Sequence, residues 1–217
     1  MLNYIVKTVS NIKDKTIDII YKELLQNKFQ FIILKLIDNS IYVLTKEKSL
    51  FKIENEEEFL KLASKDIYYK TVISNENIKI NKDDFKLYKY YIDKYKNKIM
   101  QKKYNDKYYF GCVAVKTDNG FITTTRGKES FEEYSIVKNV NHKEHIINVI
   151  NKKASLNAPL LDYLFKNPKV KAIVHLHEFD DTLPYYEYAF PGTVRDTIRN
   201  NTQSFNIRHH GLIYIFE

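Results

Sequence analysis

The sequence predicts an α/β fold, and three observations carry that expectation. Some stretches repeat their apolar residues at helical spacing while others alternate them with a period of two, so helices and strands are interspersed along the chain. The 217 residues, with 44% hydrophobic side chains, can bury the core of one large domain, or of one domain with a substantial extension. No glycine-rich linker or low-complexity tract divides the chain.

Residues 16–26 (TIDIIYKELLQ) set Ile17, Ile20, Leu24 and Leu25 near one helical face, with Thr16 as the expected N-cap. Two apolar runs, FQFIILKLI and IYVLT, follow and are joined by Asp38-Asn39-Ser40, which is turn chemistry between strands. Residues 54–64 (ENEEEFLKLAS) open with carboxylates that complement a helix N-terminus. YYKTVIS is a candidate strand among polar loops. Within residues 86–102, lysine and tyrosine interleave, but Tyr88, Tyr91, Ile92, Tyr95 and Ile99 keep helical spacing. That predicts an amphipathic helix over about 84–101 with a basic outer face.

A meander is expected next. YYFGCVAVK and FITTT form a hairpin closed by Asn119-Gly120, followed by the Arg126-Gly127-Lys128 turn and short strands over 135–140 and 145–150. Residues 157–165 (NAPLLDYLF) read as a helix with Pro159 in its first turn. VKAIVHLHEF is a strand, PYYEYA is extended, Thr193 caps a short helix over 193–199, and 204–216 is a final strand pair with His209-His210-Gly211 at its bend. A weak echo links this helix and strand pair to the N-terminal helix and hairpin. All the concentrated chemistry lies after residue 100, so residues 1–100 are expected to be an N-terminal α+β region, a degenerate repeat or lid, and residues 101–217 the functional domain.

The single cysteine, Cys112, excludes an internal disulfide framework and suits a reducing compartment. The first fifteen residues carry no apolar signal core, and FIILKLI is far shorter than the roughly 20 residues of a membrane helix. A cytoplasmic protein without membrane attachment is expected. The net charge of +8 is spread among Asn, Ile and Tyr along the whole length, so solvated faces account for it and nucleic acid is not the expected partner.

The chemistry centres on VKAIVHLHEF. A period of two places His175 and His177 on one strand face, about 7 Å apart, which suits two ligands of one metal. A third ligand must then come from elsewhere, while a catalytic zinc keeps one position open. His209-His210-Gly211, near the C-terminus, is the obvious donor; on a strand, His209 would point away from His210. His142 and His145 lack the spacing of a zinc helix and are expected at the surface.

Several patterns after residue 108 occur in a fixed order: GCVAV then FITTTRGK, KASLNAPL, NPKVKAIVHLH, PYYEYAFPGT and RHHGLIY. In that order they resemble the class II aldolase/adducin family of zinc-dependent sugar-phosphate aldolases, epimerases and dehydratases, over about half the chain. The resemblance implies a three-layer α/β/α sandwich with a central, mainly antiparallel sheet. It implies Zn²⁺, or another divalent metal, on His175, His177 and His210, an anionic small-molecule substrate, and a symmetric homo-oligomer.

Departures from the family pattern are as informative. The family's acid/base Glu falls at Asn157, whose amide hydrogen-bonds but does not titrate near neutral pH. Glu178 and Asp162 are the nearest carboxylates that could substitute. The family's phosphate contacts fall at Cys112, Ala114, the Thr125-Arg126-Gly127 turn, Ser155 and Leu156, so most polar donors are lost there. Arg126, Gly127 and Ser155 are the expected substrate-binding residues, and Arg126 and Lys128 supply compensating charge. No counterpart of the family's C-terminal helix is expected after HHGLIY. Two functions follow: a zinc-dependent, aldolase-type lyase on a hydroxy-carbonyl sugar-like substrate, in which Asn157 and Glu178 take catalytic roles, or a catalytically degenerate adducin-like interaction module that keeps its metal.

Overall fold

The structure, a computed structural model, describes residues 2–76, 78–101, 103–104, 107–198 and 203–217. The chain forms two compact units, Met1–Asp66 with Tyr104–Asp106, and Ile67–Lys103 with Lys107–Glu217. Among the described residues no helix is long and apolar enough to cross a membrane.

The first unit runs β1 (Tyr4–Val9), α1 (Asp14–Gln26), β2 (Phe31–Leu36), β3 (Ile41–Thr45), β4 (Leu50–Ile53) and α2 (Glu56–Ala63). Its sheet has the order β1-β2-β3-β4, with β1 parallel to β2 and the remaining pairs antiparallel. Ile17, Ile20, Tyr21 and Leu24 of α1 bury one sheet face with Ile32, Leu34 and Leu44. On the alternate residues Phe31 meets Phe59 of α2 edge-on, with centroids 5.2 Å apart. Helix α1 starts earlier than expected. Its N-cap is Lys13, and Thr16 lies in the first turn, its hydroxyl donating to Asn11 Oδ1 at 3.2 Å. In α2, Asn55 caps the helix by accepting from the Glu58 amide. The Asp38-Asn39-Ser40 turn forms as expected, with Asn39 at φ +63° and the Ser40 amide donating to Asp38 Oδ1.

The second unit contains β5 (Lys70–Ser74), α3 (Lys82–Met100), β8 (Cys112–Thr117), β9 (Gly120–Thr124), β10 (Tyr134–Asn141), β11 (Ile146–Ile150), α4 (Ala158–Phe165), β12 (Ala172–Leu176), β13 (Tyr185–Tyr186), α5 (Val194–Thr197), β14 (Phe205–Ile207) and β15 (Gly211–Phe216). The two-residue strands β6 (Lys103–Tyr104) and β7 (Tyr108–Tyr109) lie between α3 and β8 in the chain. Nine strands join in the order β13-β14-β15-β12-β8-β9-β10-β11-β5. The end pairs β13/β14 and β11/β5 are parallel and the pairs between them antiparallel.

Period-two alternation sends side chains to two separate cores. Val113, Val115, Ile122, Ala172, Val174 and Leu176 meet Tyr88, Ile92, Tyr95 and Ile99 of α3. Cys112, Ala114, Phe121, Ile173 and Ile213 meet Leu160, Leu161, Leu164 and Phe165 of α4. Strand β12 is therefore buried on both faces, which explains its nearly unbroken apolar run.

Two turns differ in detail from expectation. In the β8–β9 hairpin Thr117 pairs with Gly120, so the loop is Asp118-Asn119 and Gly120 already belongs to the strand at φ +110°. A Cβ at Gly120 would lie 1.9 Å from the Val137 carbonyl oxygen, so close strand approach is what demands glycine there. His145 stands in the turn before β11 at φ +56° and is not its first residue. Thr193 caps α5 by accepting from the Asp196 amide, and the helix ends at Thr197; Arg199, in the stretch expected to be helical, lies outside the described residues, as does Lys102 of the lysine–tyrosine stretch.

Candidate metal centre

His175, in the middle of the sheet, is only 1% exposed and lies on the α4 side with Ile173. Its Nδ1 lies 2.9 Å from the Leu212 carbonyl oxygen of the neighbouring β15. A carbonyl only accepts, so Nδ1 carries the hydrogen and Nε2 keeps its lone pair. That Nε2 is buried and, among the described residues, has no hydrogen-bond partner. Burial pushes the His175 pKa down to about 4, so the ring is neutral at pH 7.

His177 and His210 come to the same point by different means. Strand β12 ends at Leu176, so His177 sits one residue past the ladder, half-buried, with its ring stacked on Phe110 at 4.5 Å and 17°. His210 closes the turn between β14 and β15, where its amide donates to the Ile207 carbonyl at 3.1 Å. His209 takes φ +60° in that turn, so it is a turn residue and not the outward strand position expected. Gly211 makes the approach possible. At φ +147° it lies so close to β12 that a Cβ would meet the Leu176 carbonyl oxygen at 2.1 Å and His177 Cα at 3.0 Å.

The ring centroids are 4.8 Å (His175–His177), 4.6 Å (His175–His210) and 5.0 Å (His177–His210) apart. One potential ligand atom from each lies within 4.8 Å of the other two. Three imidazoles, one with its lone pair directed by a carbonyl and its proton-free nitrogen orphaned, fit a divalent ion such as zinc, which takes histidine nitrogen and leaves a fourth position open. The Leu212 carbonyl is the kind of outer partner that orients a metal-binding imidazole.

The other expected site residues fall into two groups. Asn157, the buried N-cap residue of α4, makes no side-chain capping bond; its backbone N–H donates to Ser155 Oγ at 3.3 Å, and among the described residues its Oδ1 has no hydrogen-bond partner. Ser155 and Asn157 both lie within hydrogen-bonding reach of the buried Cys112 thiol, whose pKa burial raises, and Cys112 is the cross-strand neighbour of His175. Asn157 is thereby brought to the histidine face of the sheet. Thr125 bridges to Ala154 and the Arg126 amide donates to the Lys153 carbonyl at 2.9 Å, so the Arg126-Gly127 turn runs beside Ser155. Arg126 and Gly127 are exposed.

Glu178 is not gathered in with them. Its Oε1 is 2.6 Å from Lys98 Nζ on α3, an ion pair with both side chains a third or more exposed. Asp162 accepts from His142 Nε2 at 2.8 Å, and Tyr69 donates to His142 Nδ1 at 2.7 Å, so His142 is a half-buried link and not the solvated residue expected. Lys128, expected to offer charge to an anion, is buried with its ammonium on the Tyr109 carbonyl at 3.0 Å and on the Gly111 carbonyl. Burial lowers its pKa to about 8. The contributions of Phe110, Lys128 and the Leu212 carbonyl carry no signal in the sequence, because each depends on a contact between distant segments; the His-Gly dipeptide does signal Gly211.

The second unit and this site define a mixed α/β protein with a candidate three-histidine metal centre. No family model matches the chain, and no curated protein matches it. Among solved structures, it is similar to YgbL from Escherichia coli, a candidate aldolase/epimerase/decarboxylase, at 17% identity over 62% of this chain and 80% of that one, with a TM-score of 0.47. It is also similar to an L-fuculose 1-phosphate aldolase at 11% identity over 63% and 76% of the chains, TM-score 0.44. The L-fuculose-1-phosphate aldolase of Thermus thermophilus aligns at 16% identity over 60% and 79%, TM-score 0.41.

Proposed function

We propose that this protein is a zinc-dependent, aldolase-type lyase acting on a hydroxy-carbonyl, anionic sugar-like substrate, with His175, His177 and His210 as the metal ligands. One observation carries the reading: the Leu212 carbonyl fixes the His175 tautomer, so that a buried, unpartnered Nε2 faces two further imidazoles. The ordered motifs from GCVAV to RHHGLIY support it from the sequence side. When bound, a divalent ion at such a site supplies Lewis-acid stabilisation of the oxyanion that develops as a carbon–carbon or carbon–oxygen bond beside a carbonyl breaks.

The chain's own residues supply the rest. Arg126, with the open backbone of Gly127 and the Ser155 hydroxyl, receives the anionic end of the substrate. Asn157 uses its unpartnered amide oxygen to hold a substrate hydroxyl and moves no proton. Glu178, the carboxylate adjoining His177, is the proposed proton carrier and is released from Lys98 to act. In this reading the second unit is a three-layer α/β/α sandwich of the aldolase/adducin type, in a cytoplasmic homo-oligomer. Metal analysis of protein purified without chelators tests the core of the reading. About one zinc per chain is expected, and far less than one after zinc is added back would sink it.

A second reading, an adducin-like interaction module that holds metal without turnover, is favoured by the Glu178–Lys98 pair together with an amide at position 157. A panel of sugar phosphates separates the two. Cleavage, dehydration or epimerisation of any member supports the enzyme, and metal-loaded protein inert on the whole panel supports the module.

A further inference from the structure

We propose that Phe110 is a positioning residue for the metal centre, holding the His177 imidazole in its ligand orientation by stacking. The inference rests on the metal reading above and concerns the ligand that lies just past the end of β12. His175 is fixed by its place in β12 and by its hydrogen bond to Leu212, whereas His177 lies beyond the last ladder residue. Its ring lies nearly parallel to the Phe110 ring, 17° apart with centroids at 4.5 Å. A nitrogen lone pair lies in the plane of its imidazole, so a neighbour that fixes the plane also fixes the directions along which the ring can bind an ion. Stacked aromatic pairs contribute binding energy beyond their buried area. A ring electron cloud also favours an imidazole made electron-poor by a cation.

Phe110 is itself held from both sides. The Lys128 ammonium donates to the carbonyls of Tyr109 and Gly111, the residues flanking Phe110, and the Tyr109 amide donates back to the Lys128 carbonyl at 2.9 Å. Gly111, at φ +79°, presses against β12 closely enough that a Cβ would lie 2.6 Å from the His175 carbonyl oxygen. The buried lysine thus has a use that anion binding does not require. It staples the 109–111 segment over the end of β12 and so presents the Phe110 ring to His177.

The test uses the full chain and Co²⁺ as a spectroscopic stand-in for zinc, comparing wild type with Phe110→Ala, Phe110→Leu and Phe110→Tyr. Wild type is expected to bind Co²⁺ with visible ligand-field bands. Phe110→Tyr, which keeps the stacked ring, should match wild type in affinity and spectrum. Phe110→Ala and Phe110→Leu should bind about threefold to tenfold more weakly, the fold-change corresponding to loss of one stacked pair, with altered band intensities. Melting curves in chelator show whether each apoprotein folds. If Phe110→Ala does not fold, the Leu and Tyr pair decides, since leucine keeps the bulk without the ring. Wild-type affinity and spectrum in Phe110→Leu would overturn the proposal while leaving the metal centre standing. Absence of Co²⁺ uptake by wild type would overturn the metal reading, and this proposal with it.

Discussion

Gly211 shows how much of the histidine cluster depends on one missing side chain. Gly211→Ala would force a Cβ into the Leu176 carbonyl at a backbone φ that alanine avoids. The expected result is a stability loss of more than about 1 kcal/mol in urea denaturation, together with loss of metal uptake because His210 is pushed away. Wild-type behaviour in both measurements would contradict this account. His175 sets a pH dependence at the same scale. Its folded pKa of about 4 lies below the ordinary 6.5, so the neutral ring is favoured by folding. Its contribution is complete above pH 6.5 and is lost as pH falls from 6.5 to 4, where the unfolded chain takes a proton that the folded chain refuses. The linkage amounts to about 3 kcal/mol, and His175→Gln should flatten that part of the stability–pH curve measured on the apoprotein. The cluster itself was legible in the sequence because His-x-His and His-Gly are local patterns. Phe110, Lys128 and the tautomer-fixing carbonyl were not, since they meet the histidines only through the fold.

At the scale of elements, the Tyr69–His142–Asp162 chain ties the segment leading into β5, the turn after β10 and helix α4 together. Among the described residues strand β5 has only β11 as a neighbour, through a parallel pairing at the edge of the sheet, so it depends on such side-chain links. His142→Phe removes both hydrogen bonds and is expected to cost about 1–2 kcal/mol. Hydrogen exchange should speed up in Lys70–Ser74 with Co²⁺ binding unchanged, and unchanged exchange there would refute the link. Elements with strong periodicity, α3 and the β8 to β11 meander among them, were legible from pattern alone. Strands β1 and β4 were not assigned, because four to six residues of mixed burial lack a period long enough to read. Helix α1 began earlier than Thr16 because Asn11 organises the preceding turn, and a side chain outside the helix leaves no mark on its period.

On the whole-molecule scale, the three candidate ligands join the end of β12 and the residue beyond it to the turn entering β15, more than thirty residues later in sequence but adjacent in the sheet. An ion held there closes that loop in the folded chain and finds no preformed site in the unfolded one, so its binding free energy adds to stability. At a free zinc concentration of about 100 times Kd the gain is about 2.7 kcal/mol. For a chain of this size that corresponds to a rise of roughly 5–10 °C in melting temperature. Calorimetry of the full chain in zinc and in chelator should show this difference. His210→Ala should melt at the same temperature in both solutions, because two imidazoles hold the ion too weakly to shift the transition. Hydrogen exchange should locate the zinc-dependent protection in β12, β14 and β15. A melting temperature indifferent to zinc in the unmodified chain would mean that the three histidines do not form a metal site, whatever their spacing.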